Sequence, residues 1–299
     1  HFFLVVIILA FVFLILGQLL GMGITSLIKL PFGEMDNATA FLFEYLSLVG
    51  IVILILVYCF FFDKKVFRSF LYIKQGGTKG NTFKKLGLGL LIGFLMNSLC
   101  VLVAFIHGDL QFNISKFSII YMICAFFCVM VQSGAEELLC RGYVIGALRQ
   151  RYPIWVALLI NVIMFVVPHL NNNGISVLPV IQLALMALAT GIMVCYFDSL
   201  WMAIGIHTAW NFTQNFLFGL PNSGLVSEAS VLHLDAETVQ STFSELPERL
   251  KDILRYKYLL EMSDREIAKT LGVSESSVRS YLLRARRAVL KMCEEKGYV

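Results

Sequence analysis

Two adjacent carboxylates, Glu136 and Glu137, close a long uncharged run in the segment Ser133-Gly134-Ala135-Glu136-Glu137-Leu138-Leu139-Cys140-Arg141. Ionisable groups at membrane depth are expensive and usually functional. Arg141 follows Glu137 by four residues, so the two can pair on one helical face. That leaves Glu136 on another side, free for chemistry. His169, in Phe165-Val166-Val167-Pro168-His169, is the only acidic, basic or imidazole side chain between Arg151 and Asp198. His207 and Asn211 lie one helical turn apart and aim at one point, and Asn215 extends the same stripe.

An acid, two imidazoles and an amide are the parts of a hydrolytic site. If residues 117–150 and 154–169 form an antiparallel hairpin turning at Tyr152-Pro153, positions 136 and 169 are equidistant from the turn and share a depth. Glu136 can then take a proton from water, while His207 and Asn211 donate to a developing oxyanion. A Zn²⁺ held by Glu136, His169 and His207 would satisfy three-ligand catalytic coordination. The residues leave metal-assisted and metal-free mechanisms open. Each group alone has a structural reading: a buried His bonds a neighbouring helix, and a Glu–Arg pair fastens two turns. Their concurrence on apolar segments is what favours a site. His107, at the end of a run, and His233, in a polar stretch, keep the structural reading.

The elements that must carry these groups are apolar. Of 299 residues, 58% are hydrophobic and 15% charged, against roughly 25% charged in an ordinary soluble domain. Disorder, collagen-like repeats and a disulfide scaffold are excluded; six of the seven Cys lie in apolar runs, where a thiol behaves as a small hydrophobe. Runs at 2–28, 41–62, 86–107, 117–135, 154–169, 177–197 and 200–218 read as seven membrane spans, each near the ~20 residues that a bilayer requires. The loop 63–85 carries seven Lys or Arg against Asp63, which assigns it to the cytoplasm. His1 is not an initiator Met, so the chain reads as clipped at its start.

Charge is unevenly spread. Twenty-two charged residues fall among the first 236 and another 22 among the last 63. That shift divides the chain into a membrane domain, 1–236, and a polar domain, 237–299, with the boundary near Asp235–Glu245. In the polar part, Ser263-Asp264-Arg265-Glu266 is a capping box ahead of Ile267, Ala268 and Leu271. Gly272 ends that helix and Ser274 opens the next, which turns Val278, Leu282, Ala285 and Val289 inward. Helix, glycine-containing turn and helix form a helix-turn-helix. Arg279, Arg284, Arg286, Arg287 and Lys291 line its last helix, where they meet either solvent or phosphates.

The first domain resembles the CAAX-protease and bacteriocin-processing (CPBP, or Abi) family of intramembrane proteases. The motifs are Glu136-Glu137-x-x-x-Arg141, Phe165-x-x-x-His169 and His207-x-x-x-Asn211. Each alone is weak; all three in order on hydrophobic segments are specific. The resemblance covers about residues 1–235. It implies a multi-pass cell-membrane endopeptidase, acting on membrane-associated or C-terminal peptides, with a site open to the cytoplasm. It also implies that Glu136 and His169 activate water, that His207 and Asn211 form the oxyanion hole, and that Glu137 and Arg141 support them. The family is labelled metalloprotease, while its structurally studied relatives look like glutamate proteases with no required metal. Eukaryotic relatives cleave prenylated C-termini; bacterial ones are tied to bacteriocin maturation or self-immunity. A non-catalytic immunity protein is thus one alternative.

The polar domain closely resembles region 4 of sigma-70-type sigma factors of the extracytoplasmic-function group. Leu246-Pro247-Glu248-Arg249, the stretch from Ser263 to Ser274, and Arg284-Ala285-Arg286-Arg287 carry the likeness. It implies DNA as a partner, with Ser274, Ser276, Ser277, Arg279 and Ser280 near base edges and Arg284, Arg286 and Arg287 on the backbone. A membrane-tethered transcriptional regulator is the second alternative. The expected fold is an all-α bundle of about seven spans with a small helix-turn-helix domain. Seven spans leave that domain outside the cell, away from DNA. Protease relatives carry a further span there, eight in all. A gap or fusion near 235 accounts best for the conflict; a miscounted span and a passenger tail without a DNA role are the other accounts.

Overall fold

The computed structural model describes residues 2–64, 66–67, 80–106, 112–115, 117–170, 177–222, 227, 229–234, 246–259 and 262–295. Basic residues Lys65, Arg68, Lys74 and Lys79, His107 and the 235–245 boundary stretch lie outside the described residues. The chain divides into two compact units, one of residues 1–104 with 112–233, the other of 234–299 with 105–111.

The first unit is built on helices α1 (Phe2–Lys29), α2 (Asn37–Ser47), α3 (Val49–Phe62), α4 (Phe83–Ile106) and α5 (Ile119–Glu137). A π-helical turn, Leu138–Val144, carries α5 into the short α6 (Ile145–Leu148). Then come α7 (Ile154–His169), α8 (Val177–Phe197) and α9 (Leu200–Phe212), the last extended by a second π turn, Thr213–Leu217. Strands β1 (Phe112–Ile114) and β2 (Leu232–Leu234) pair in a two-stranded sheet. Local chemistry sets the ends. Asp36 accepts the Thr39 N–H at 2.7 Å to start α2, Ser118 accepts that of Tyr121 at 3.4 Å to start α5, and Pro153 precedes α7. The Tyr152-Pro153 turn is therefore where the hairpin reading put it.

Five stretches among the described residues are long and apolar enough to cross a bilayer: Phe2–Lys29, Asn37–Phe62, Phe83–Ile106, Ile119–Leu148 and Val177–Phe197. Seven were expected; the other two are shorter. Helix α7 has 16 residues and α9 has 13 before its π turn. Helix α9 reads as a span because it is apolar, yet nine of its residues are buried in protein. The remaining helices turn large apolar side chains outward, with Phe62 at 77% and Ile120 at 76% exposure. Apolar surface of that extent suits lipid, not water.

Where helices cross, glycine removes the side chain. A Cβ on Gly17 or Gly21 of α1 would collide with the backbone of Ile51 or Ser47, and one on Gly89 or Gly93 of α4 with the carbonyls of Met202 or Ile206 on α9. Both pairs have the small-xxx-small spacing of closely packed membrane helices. Polar bridges add to this contact: Gln18 Nε2 donates to Ser47 Oγ (2.8 Å), Asn97 Nδ2 to Gln214 Oε1 (3.2 Å) and Lys85 Nζ to Phe197 O (2.9 Å).

The second unit contains α10 (Glu248–Leu254), continued by a π turn Arg255–Leu259, then α11 (Asp264–Leu271) and α12 (Glu275–Glu295). Ile253, Ile267, Ala268, Val278, Leu282 and Ala285 make its core. The capping box forms in both directions, Ser263 with Glu266, and Gly272 takes a left-handed φ of 63° to end α11. Val289, expected inside, is only half-buried.

Candidate functional site

Glu137 ends α5 and Arg141 lies inside the π turn, all seven of whose residues are buried. Single π turns within α-helices recur at functional sites. Arg141 Nη1 stands 3.1 Å from Glu137 Oε1, with both side chains sealed from solvent. Such charges are tolerated only in mutual compensation. Arg141 Nη2 donates to Thr190 Oγ1 on α8 at 2.7 Å, and its guanidinium lies 4.3 Å from the Phe165 ring of α7. The pair thereby joins three helices.

The same Glu137 Oε1 is 3.0 Å from His207 Nδ1 on α9. A carboxylate can only accept, so Nδ1 carries the hydrogen. This orients the imidazole and turns Nε2 toward Glu136 Oε2, at 3.8 Å. Glu136 keeps 19% of its side chain exposed. Its two oxygens differ: Oε1 accepts from Gln132 Nε2 at 2.5 Å, whereas Oε2 is buried with no hydrogen-bond partner among the described residues. Asn211 Nδ2, one turn beyond His207, donates to Gln132 Oε1 at 3.0 Å. Asn215, another turn on, donates to Tyr45 Oη of α2 at 3.0 Å. The polar stripe of α9 thus meets α5 twice and α2 once.

Glu136, Glu137, Arg141, His207 and Asn211 converge; His169 stands apart from the carboxylates. Its Nδ1 lies 2.7 Å from Phe165 O, one turn back, and its ring packs on Phe165 with centroids 5.1 Å apart. Pro168 supplies no N–H to the last turn of α7, and the imidazole folds back onto that turn. The Phe165 ring is near both imidazoles, its centroid also 5.9 Å from that of His207. Sequence spacing correctly places 136 and 169 on a helical hairpin but cannot see where the rings turn.

The three-ligand zinc set therefore requires correction. Among the described residues no group of three His, Cys, Asp or Glu side chains could hold a metal ion. Glu136 and His207 approach each other, while His207 uses Nδ1 for Glu137 and His169 uses Nδ1 for Phe165 O. Among the described residues Glu136, His169 and His207 are not gathered as a three-ligand set.

Three participants escape motif reading. Gln132 bridges Glu136 and Asn211, Thr190 anchors Arg141, and Tyr45 receives Asn215. Gln132 had a signal, since it precedes Glu136 by four residues in an apolar run. Thr190 and Tyr45 had none, because their partners lie far along the chain. Beside Arg141, Gly142, Gly146, Arg149, Asp198 and Ser199 help line a polar cavity of about 280 Å³. Phe212, Phe216, Phe126 and Met122 help line an apolar one of about 380 Å³.

Residues 115–213 match the family of type II CAAX prenyl endopeptidases, Rce1-like. This Rce1-like segment is about a third of the chain and contains all six converging or motif residues, from Glu136 to Asn211. Residues 229–289 match sigma-70, region 4. Comparison with curated proteins and with solved structures gives no match.

In the sigma-like unit, Ser274 Oγ accepts the Ser277 N–H at 3.1 Å and caps α12, while also meeting the hydroxyls of Ser276 and Ser277 at 2.8 Å. Arg279, 70% exposed, pairs with Asp264 (3.4 Å) and Glu275 (3.8 Å). Ser280, Arg284, Arg286 and Arg287 are exposed on α12. Ser274 and Ser277, two of the five base-edge candidates, thus already serve the helix cap.

Proposed function

We propose that the first unit is an intramembrane endopeptidase in which Glu136 and His207 activate water. One observation carries this reading: a sealed Glu137–Arg141 pair orients His207 so that Nε2 faces the hydrogen-bond-free Oε2 of Glu136 across 3.8 Å. A water seated beside that gap contacts both groups. Glu136 takes its proton as the oxygen attacks the peptide carbonyl. The second N–H of Asn211 stabilises the tetrahedral oxyanion, while His207 Nε2 accepts the other hydrogen of the water and holds it in place. Glu136 then delivers the proton to the leaving nitrogen, the C–N bond breaks, and a carboxylic acid and an amine result.

The Rce1-like match supports a substrate with a lipidated C-terminus. On this reading seven segments cross the cell membrane, α7 and α9 being the two short ones, and the site opens to the cytoplasm. The division is 1–236 for the protease domain and 237–299 for the helix-turn-helix domain. Its test is cleavage of an internally quenched peptide library that includes prenyl-cysteine C-termini, by the purified full chain with and without chelator. Wild type cleaves in both conditions, and Glu136→Gln does not. Cleavage by Glu136→Gln at the wild-type rate contradicts the assignment. His169→Ala in the same assay measures a group that the resemblance assigns to the water and that packs on Phe165.

The sigma-70 region 4 match favours a second activity for the other unit, binding of duplex DNA through α12. Its mark is salt-dependent affinity, lost when Arg284, Arg286 and Arg287 are changed together to Gln.

A further inference from the structure

We propose that Gln132 is a positioning residue that locks the base and the oxyanion donor together; this rests on the protease reading above. Glu136 Oε1, the acceptor of an ionised carboxylate, requires a donor opposite it, and Gln132 Nε2 supplies one at 2.5 Å. That choice fixes the amide. Gln132 Oε1 must then point the other way, where it accepts from Asn211 Nδ2 at 3.0 Å and from Ser133 Oγ at 3.1 Å. An acceptor facing Asn211 in turn forces its amide to present nitrogen rather than oxygen. One N–H of Asn211 is used by Gln132, and the other is held at a fixed angle for the substrate. Polarity thus passes from the carboxylate through a buried amide to the donor on another helix.

Turning the Gln132 amide over would set its nitrogen against two donors and its oxygen against a carboxylate, so three contacts oppose it. The anchoring also frees the correct oxygen. With Oε1 occupied, Oε2 is the Glu136 oxygen left toward His207. No motif of the family resemblance includes position 132, and Gln132, buried at 7% exposure, touches the reaction only through its two neighbours.

The experiment measures kcat and KM separately for the full chain on a cleaved peptide from the quenched library. The variants are wild type, Gln132→Met, Gln132→Glu, Asn211→Ala and the Gln132→Met/Asn211→Ala pair. Gln132→Met is of similar size and lacks both hydrogen-bonding ends. It lowers kcat roughly 100-fold, within the range for loss of one oxyanion donor, and changes KM less than about threefold. Adding Asn211→Ala to it costs little more, because residues acting as a unit are not additive. Gln132→Glu keeps the acceptor for Asn211 and Ser133, but its carboxyl shares one proton with Glu136, which withdraws the ionised base and does not restore kcat. If Gln132→Met destabilises the fold, Gln132→Glu, which keeps two of three contacts, carries the test. Wild-type kcat in a folded Gln132→Met or Gln132→Glu, or losses that multiply in the double variant, overturn the lock while leaving the protease reading intact. Failure of wild type to cleave any peptide overturns both.

Discussion

At the scale of single residues, the cost of the site lies in its buried charges. Removing Arg141 as Arg141→Ala leaves Glu137 sealed and uncompensated, which costs about 3–5 kcal/mol. Thr190→Val removes one partner of the guanidinium and costs about 1–3 kcal/mol. Thermal unfolding of the purified full chain ranks the two, Arg141→Ala well below Thr190→Val. Equal stability of Arg141→Ala and wild type would mean that the pair bears no load. Much of this chemistry was legible from spacing alone. The i,i+4 pairing of Glu137 with Arg141 and the stripe His207, Asn211, Asn215 follow from helical periodicity. The turn of His169 onto Phe165 was not legible, because it depends on the rotamer that the imidazole takes within the last turn of α7.

At the scale of elements, close approach and end chemistry decide. Helix α4 meets α9 through Gly89 and Gly93, where carbonyl oxygens leave no room for a side chain. Gly93→Leu forces α4 away from the helix that bears His207 and Asn211, so both stability and cleavage fall. Size-exclusion profiles and the peptide assay read this, and an active, monodisperse Gly93→Leu would contradict the crossing. In the second unit the Ser263–Glu266 box caps α11. Ser263→Ala removes it and costs about 1 kcal/mol, seen as faster amide exchange in α11 of the full chain. Hydrogen bonds from Lys257 hold Asp264 below its usual carboxylate range, and those from Ser263 do the same for Glu266. Groups depressed on folding stabilise above their unfolded pKa values of 3.8 and 4.5. That contribution is lost as pH falls through the lower folded values. Exchange protection in α11 therefore holds from neutral pH to about pH 5 and declines below about 4. The capping box was readable in the sequence because it is local. The burial of α9 was not legible, since a helix buried in protein and one facing lipid are equally apolar.

At the scale of the whole molecule, two halves of different chemistry share one chain. The Rce1-like match lies in the first unit, and the sigma-70 region 4 match runs from 229 into the second. Charge density along the sequence changes abruptly near residue 236. Composition does not fix how many times the chain crosses, because α7 and α9 are too short to be told from buried helices by hydropathy. Single cysteines introduced at Lys74 and Ser280, in a background without native Cys, locate the two ends against an impermeant thiol reagent. Seven crossings put them on opposite sides of the membrane, with Lys74→Cys cytoplasmic. Reaction of both from one side shows an even number of crossings between them and leaves the helix-turn-helix within reach of DNA.

The most direct measurement is the turnover of Glu136→Gln, His207→Ala and their combination on one cleaved peptide, with folding verified for each. Groups that hold the same water act as a unit. Each single change therefore removes most of the turnover, and the combination is scarcely worse than the poorer single variant. Undiminished cleavage by either single variant, or losses that multiply in the pair, would contradict the claim that Glu136 and His207 share one catalytic water.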